Sequence, residues 1–283
     1  MQPPAPEGRT RMTITRDPRF DFTGRKVFVA GGTSGINQGI AEAFAVNGAT
    51  VGVFSRSQEK VDAAVERLKA LGDAPAFGMA GDVRKPETVE AALKAFHEAH
   101  GETDVLVSGA AGNFLAPAAE MSPNAFATVI GIDLNGTFNV LRLGYRYTAK
   151  PGGSMIVISA PQSTRATMYQ AHACAAKAGI DQLIRVLALE WGPVGIRVNG
   201  IVPGPIAGTE GVDRLFNTDA ARKQLIEKTP LRVMGGLEDC ANMAMVLSTD
   251  LTKYVTSAII PVDGGTTVAG GSDYGSDVSR RNA

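Results

Sequence analysis

From about residue 22 the chain alternates between short apolar runs and longer stretches with apolar positions at helical spacing. The short runs at 26–30, 50–54, 76–79, 104–107, 154–159, 196–202 and 258–262 read as strands. Helical periodicity covers about 38–48, 57–71, 86–100, 121–149, 165–192 and 238–249, with Ser57 and Ser122-Pro123 as starters. Strand and helix in regular alternation predict a doubly wound α/β fold, a parallel sheet with helices on both faces. In such folds ligands bind beyond the carboxyl ends of the strands.

The length of 283 residues allows one large α/β domain or two small ones. A composition of 44% hydrophobic residues with 33 glycines and few aromatics favours one, over 22–283. Residues 1–21 have no apolar core of the kind a secretory signal needs and read as a flexible arm. The formal net charge of zero offers no basic face for nucleic acid or an anionic membrane, so the expected partner is a small molecule. No run approaches the roughly 18 apolar residues of a membrane span. Cys174 and Cys240 lack CxxC or Cys/His ligand spacing, which points to reduced thiols, no metal site and a cytoplasmic protein.

The chemistry falls at the strand ends. Ala30-Gly31-Gly32-Thr33-Ser34-Gly35-Ile36-Asn37-Gln38-Gly39 lies between the first strand and the first helix. Glycines there permit a tight turn and admit a pyrophosphate to the free N–H groups of a helix start; the placement separates this run from a plain turn. The second strand ends in Phe54-Ser55-Arg56-Ser57. An acidic residue at that point takes ribose hydroxyls, whereas an arginine clamps a 2′-phosphate. Ser55, Arg56 and Lys60 therefore argue for NADPH over NADH, the alternative being that Arg56 is a solvated surface residue. Asp82-Val83 is placed either for an adenine edge or as a helix cap, and Ala110-Ala111-Gly112 offers small residues where a cofactor passes close to the backbone. Lys177, among small residues on a long helix, is either a working lysine or one that snorkels to water from a packed helix.

On these residues the chain resembles the short-chain dehydrogenase/reductase family from about residue 22 onward, through the turn from Gly31 to Asn37, Asp82, Ala110-Ala111-Gly112, Lys177, Arg197-Val198-Asn199 and Pro203-Gly204. The resemblance implies a single Rossmann-type domain with the cofactor held by Gly31, Gly32, Thr33, Ser34, Gly35, Ile36, Val83, Ala110, Lys177, Pro203, Gly204, Ile206 and Thr209, beside the residues already named. Asn37 stands in place of the third glycine of the turn, and Ala30 in place of a customary threonine. The family's usual active site is asparagine, serine, tyrosine and lysine; the corresponding positions here read Asp133, Ala160, Ala173 and Lys177, with the serine-to-tyrosine interval kept. Without phenol and hydroxyl, ordinary ketone reduction is disfavoured. Lys177 can still hold the nicotinamide ribose.

A narrower resemblance is to peroxisomal-type 2,4-dienoyl-CoA reductases, carried by the run Ala110 to Leu115, Ile132-Asp133 with Gly136-Thr137-Phe138-Asn139, His172-Ala173, Glu190-Trp191-Gly192-Pro193, and the run Pro203 to Gly211. It implies NADPH-dependent reduction of a 2,4-dienoyl-CoA to a 3-enoyl-CoA. It also implies that Asp133 and Asp263 hold a proton-donating water, one of two such carboxylates keeping a proton at neutral pH. The other readings are a structural bond for Asp133 and a turn for Asp263. Arg84, Phe114, Ser122, Asn124 and Arg214 are implied to line the acyl-CoA path, with the arginines on phosphates. Tyr169, at four-residue spacing with Ala173 and Lys177, is a rival proton donor, and His172 reads as a packing or interface residue. The segment 205–232 is expected to be a lid, and 165–192 to support a homotetramer. Two other functions stay open: a carbonyl reductase using Tyr169 or water, and a catalytically silent NADP-binding subunit.

Overall fold

The seven apolar runs become seven strands: β1 (Lys26–Ala30), β2 (Thr50–Ser55), β3 (Ala76–Ala80), β4 (Val105–Ser108), β5 (Ser154–Ile158), β6 (Arg197–Pro203) and β7 (Ile259–Val262). The structure, a computed structural model, describes residues 16–269. All strands pair in parallel, in the order β3-β2-β1-β4-β5-β6-β7. The connections reverse direction between β1 and β4, which opens a crevice at their carboxyl ends. This is the single Rossmann-type domain expected.

The helices are α1 (Gly35–Val46), α2 (Gln58–Leu71), α3 (Pro86–His100), α4 (Pro123–Ile130), α5 (Gly136–Gly144), α6 (Ala171–Trp191), α7 (Glu210–Leu215), α8 (Asp219–Lys228) and α9 (Leu237–Leu247). Because β1, β2, β4 and β5 are covered on both sides, their side chains feed two cores. On one face Val29, Val53 and Ile156 meet Phe44 of α1 and Met245 of α9. On the other, Phe28, Leu106 and Met155 meet Phe96 of α3, Leu141 of α5 and Ile184 of α6. Each such side chain contributes roughly 1.5–3 kcal/mol through its removal from water.

Three boundaries differ from the pattern. The first 15 residues of the expected arm lie outside the described residues, but Asp17 already donates its N–H to Asn47 Oδ1 at 3.1 Å. Phe22 then packs edge-on against Phe44. The helix expected over 121–149 is split by a π-turn, Gly131–Asn135, between α4 and α5. A π-turn widens the spiral by one residue without changing which residues are apolar, so periodicity does not reveal it. The helix expected from 165 begins only at Ala171, since Tyr169 adopts a left-handed backbone with φ of 64°.

Candidate active site

The crevice at the ends of β1, β2 and β4 has a volume of about 260 Å³ and brings together Gly31, Thr33, Ser34, Ser55, Arg56, Lys60, Asp82, Val83 and Ala110. Its shape follows from glycine. At Gly31, φ is +86°, and a Cβ would lie 2.9 Å from the Ala110 nitrogen. Gly35, at φ +54°, opens α1 toward free space, the nearest atom to a Cβ being Thr209 Cγ2 at 3.9 Å. Ser34 precedes the helix without a side-chain capping bond, so the first amides of α1 have no side-chain acceptor. An open helix N-terminus with no Cβ above it fits a pyrophosphate.

Gly32 and Ile36 serve the floor rather than the opening. A Cβ on Gly32 would strike Val53 Cγ1 at 2.8 Å, and Ile36 packs on the core. Asn37 explains the missing third glycine: its Nδ2 donates to the Gly109 carbonyl at 2.7 Å, and the side chain fills the notch that Gly109 leaves. The amide therefore ties α1 to the end of β4. Gly31→Ala should cost about 1–2 kcal/mol from the left-handed backbone, plus the collision with Ala110, and should abolish nucleotide binding. Urea unfolding and calorimetric titration with NADPH check this; an unchanged titration would contradict the cradle.

Arg56 is exposed at the crevice edge. Asp82 is less free than its two expected roles require. Arg84 grips its carboxylate with Nε on Oδ1 at 3.0 Å and Nη2 on Oδ2 at 2.5 Å. These bonds, with help from the charges of Arg84 and Arg56, hold the Asp82 carboxyl below the usual range. Arg84 is thus already engaged at the site where a phosphate contact was expected.

On the opposite wall, the π-turn presents Asp133, and α6 presents Lys177. Both are buried, with side chains only 2% and 9% exposed. Lys177 Nζ lies 3.4 Å from Asp133 Oδ2 and donates to the Ile158 carbonyl at 3.2 Å. The Gly112 N–H donates to Asp133 Oδ1 at 2.8 Å, fixing the carboxylate from the β4 side. A buried charge stays only when paired and hydrogen-bonded, and here both conditions are met. Lys177 therefore does not snorkel, and the partner of Asp133 is a distant lysine rather than its own helix.

The two positions that would carry ketone-reducing hydroxyls are alanines, and the flanking hydroxyls do not substitute for them. Ser159 turns its Oγ into the core, donating to Asp181 Oδ1 at 2.5 Å. Tyr169 precedes α6, so it does not share the helix face of Ala173 and Lys177 that its spacing suggested; it is half exposed, and its carbonyl accepts the Ala116 N–H at 3.0 Å.

Asp263 departs from the expectation of two acids sharing one proton. Its Oδ1 accepts the Gly265 N–H at 2.9 Å, and its Oδ2 accepts the Thr267 N–H at 2.6 Å and the Thr267 hydroxyl. Burial would raise this carboxyl, but the bonds from Thr267 and Gly265 outweigh it and hold it below the usual carboxylate range. It is an ionised turn-former, with no bond to Asp133, and its backbone stacks against Gly204, where a Cβ would lie 2.5 Å from Asp263 Cα. The stabilisation it gives is complete above the unfolded-state pKa and is lost as pH falls through the lower folded-state pKa. The gap in urea stability between wild type and Asp263→Asn should accordingly hold steady from neutral pH downward and close only below about pH 4.

Phe114 lies against His172, ring centroids 4.2 Å apart. His172 is wholly buried, and neither ring nitrogen has a hydrogen bond of acceptable geometry to the protein. This burial fits the packing reading of His172. Ser122 caps α4 by accepting the Ala125 N–H at 3.1 Å, and Asn124, exposed, uses its carbonyl for Thr128. Arg214 of α7 reaches the Asn113 carbonyl at 3.4 Å, spanning from 205–232 to the loop after β4. That segment is clipped at its base, where Ala207 N–H meets the Gly235 carbonyl at 2.8 Å and Gly235 N–H meets the Pro205 carbonyl at 2.9 Å. Pro203 ends β6, Ile206 is buried beside Gly235, and Thr209 donates to the Ile206 carbonyl at 2.7 Å. Among the described residues there is no metal-binding cluster and no helix long and apolar enough to cross a membrane.

A family model described as enoyl-(acyl carrier protein) reductase matches residues 30–267. A protein of Arabidopsis thaliana named peroxisomal 2,4-dienoyl-CoA reductase, (3E)-enoyl-CoA-producing, is 42% identical over 252 residues, covering 86% of this chain and 84% of that protein. A short-chain type dehydrogenase/reductase from Mycobacterium ulcerans superposes with a TM-score of 0.85 at 29% identity, over 92% of this chain and 96% of the other. An NAD(P) dependent gluconate 5-dehydrogenase from Beutenbergia cavernae, solved with bound NADP, gives 0.81 at 26% identity, over 88% and 99%.

Proposed function

The chain belongs to the short-chain dehydrogenase/reductase family, and from that premise we propose that it reduces a 2,4-dienoyl-CoA to a 3-enoyl-CoA with NADPH. One observation carries the reading: the positions of the two ketone-reducing hydroxyls are Ala160 and Ala173, while Lys177 is kept, buried and paired to Asp133. Such a site has lost the groups that serve a carbonyl oxygen and retains those that serve a carbon–carbon double bond. Relatives named 2,4-dienoyl-CoA reductases support it.

The cofactor is a nicotinamide dinucleotide. The amides around Gly31, Thr33, Ser34 and Gly35 would hold its pyrophosphate, Ser55, Arg56 and Lys60 a 2′-phosphate, and Pro203, Gly204, Ile206 and Thr209 the far wall. When bound, its reduced nicotinamide supplies a hydride to the far end of the diene. Lys177, with one N–H on the Ile158 carbonyl, has donors left for ribose hydroxyls. The electron pair displaced by the hydride spreads to the thioester. A C–H bond then forms beside the thioester as an O–H bond breaks in a water held by Asp133, and the resulting hydroxide takes a proton from the Lys177 ammonium. Solvent restores the lysine after product leaves. Asp263 acts here by shaping the turn under Gly204.

Arg214 is suited to the phosphates of CoA and Arg84 would reach one by exchanging its Asp82 pairing for it, with Phe114, Ser122 and Asn124 along the acyl path, and 205–232 works as a lid on its clipped base. Phe138 on α5 and Val186 and Leu189 on α6 are exposed, Leu189 at 80%, which suits a homotetramer built through these helices. Both cysteines are free and Cys240 is buried, with a thiol pushed up to about 12 by burial, which suits a reducing compartment such as the cytoplasm.

Purified protein should consume NADPH with a 2,4-dienoyl-CoA and yield a 3-enoyl-CoA, and should leave simple ketones and 3-oxoacyl thioesters untouched. Oxidation driven by ketones alone would replace this reading with carbonyl reduction. Cofactor binding without turnover on either panel would make the protein a silent subunit.

A further inference from the structure

We propose that Ser159 and Asp181 form a positioning pair that sets Lys177 against Asp133 and the nicotinamide ribose. This rests on the dienoyl-reductase reading for its chemistry and adds to it two buried residues outside the crevice lining.

The bonds close a ring. Lys177 Nζ donates to the Ile158 carbonyl at 3.2 Å. That carbonyl shares one planar peptide unit with the Ser159 N–H, which donates to the Ile201 carbonyl of β6 at 2.8 Å. The Ser159 hydroxyl in turn donates to Asp181 Oδ1 at 2.5 Å. Asp181 follows Lys177 by four residues on the same face of α6, so the path returns to the helix it left. The peptide that anchors the lysine is therefore held from β6 through its own N–H and from α6 through the side chain that follows it. With that carbonyl fixed, the head of a long and otherwise mobile side chain is set 3.4 Å from Asp133 Oδ2.

Packing does not call for an acid at this position. Ser159 and Asp181 are each 3% exposed, and Asp181 Oδ2 has no hydrogen-bond partner. A polar oxygen buried in that way lowers stability. Leucine has the same branching as aspartate and carries no such cost, but it offers Ser159 no acceptor. Replacing both members of a buried hydrogen bond by apolar groups of the same shape can be neutral or stabilising. Stability and positioning thus predict opposite outcomes for one double substitution.

The test is Ser159→Ala combined with Asp181→Leu in the full-length protein. The urea midpoint should equal or exceed that of wild type, while kcat with a 2,4-dienoyl-CoA and NADPH falls about 10- to 100-fold. NADPH should bind about 10-fold more weakly, because the lysine no longer meets the ribose in place. A lower midpoint with wild-type kcat and NADPH affinity is the mark of a pair that serves only the fold, and it would overturn the inference. Asp181→Asn, which still offers Ser159 an acceptor, should recover at least part of both losses. Residues that act as a unit are not additive, so in a Lys177→Met background the double substitution should cost nothing further in kcat or NADPH affinity; full additivity would also overturn the inference. If the double variant does not fold, Ser159→Ala alone is judged by the same readouts. A wild type without dienoyl-CoA activity would defeat the functional reading, whereas the NADPH titrations with and without Lys177→Met would still decide whether the pair positions the lysine.

Discussion

Asp133→Asn should give a folded protein that binds NADPH nearly as well as wild type and turns over a 2,4-dienoyl-CoA about 10²-fold or more slowly. The amide keeps the shape of the carboxylate and can still accept from the Gly112 N–H, so the π-turn survives. What disappears is the negative charge 3.4 Å from Lys177 Nζ and the acceptor that orients water for proton return. Asp133→Ala is a harsher change. Both variants leave the buried Lys177 ammonium without its counter-charge, and removing one member of a buried ion pair costs about 3–5 kcal/mol, so stability should fall in each, and further in Asp133→Ala, which also strands the Gly112 N–H. Comparing the two by urea unfolding and steady-state kinetics separates the charge from the packing. A fully active Asp133→Asn would remove Asp133 from the mechanism.

Arg56→Ala should weaken NADPH about 10- to 100-fold and leave NADH almost unaffected. A hydrogen bond to a charged group is worth roughly 1.5–3 kcal/mol, and at about 1.4 kcal/mol per tenfold the loss of one accounts for that range. NADH has no phosphate on its adenosine ribose, so the same truncation removes nothing from it. Since Arg56 is exposed, its contribution is open to screening, and the gap between the cofactors should narrow at high salt. Fluorescence titrations with both cofactors at two salt concentrations measure this. Equal losses would show that Arg56 does not read the 2′-phosphate.

Much of the crevice was legible because its parts are local. The turn from Gly31 to Gly35 needs left-handed backbone and an open helix start, and glycine in those places announces both. Ser55, Arg56 and Lys60 lie where a strand delivers them to the same edge, so once the strands were counted their meeting followed. The Asp263 turn was legible only in part. Its Asp-Gly-Gly run suggested a turn, but the capture of its carboxylate by Thr267 depends on a fold-back that spacing does not specify. Tyr169 misled for the converse reason: helical spacing extends through it, while its left-handed backbone places the helix start two residues later. His172 was legible as a packing residue, but its partner Phe114 was not, because the two are brought together only by the fold.

The sequence by itself determined the doubly wound fold, the glycine turn that shapes the crevice and the loss of the two hydroxyls, because these are properties of periodicity, backbone freedom and residue identity along the chain. Tertiary structure alone decided that Asp133 faces Lys177, that Asp263 is spent on its own turn, and that His172 is buried against Phe114. Those outcomes depend on a π-turn and on helices packing across the end of a sheet. Distance and burial between segments remote in sequence follow from that packing, and no local pattern encodes them.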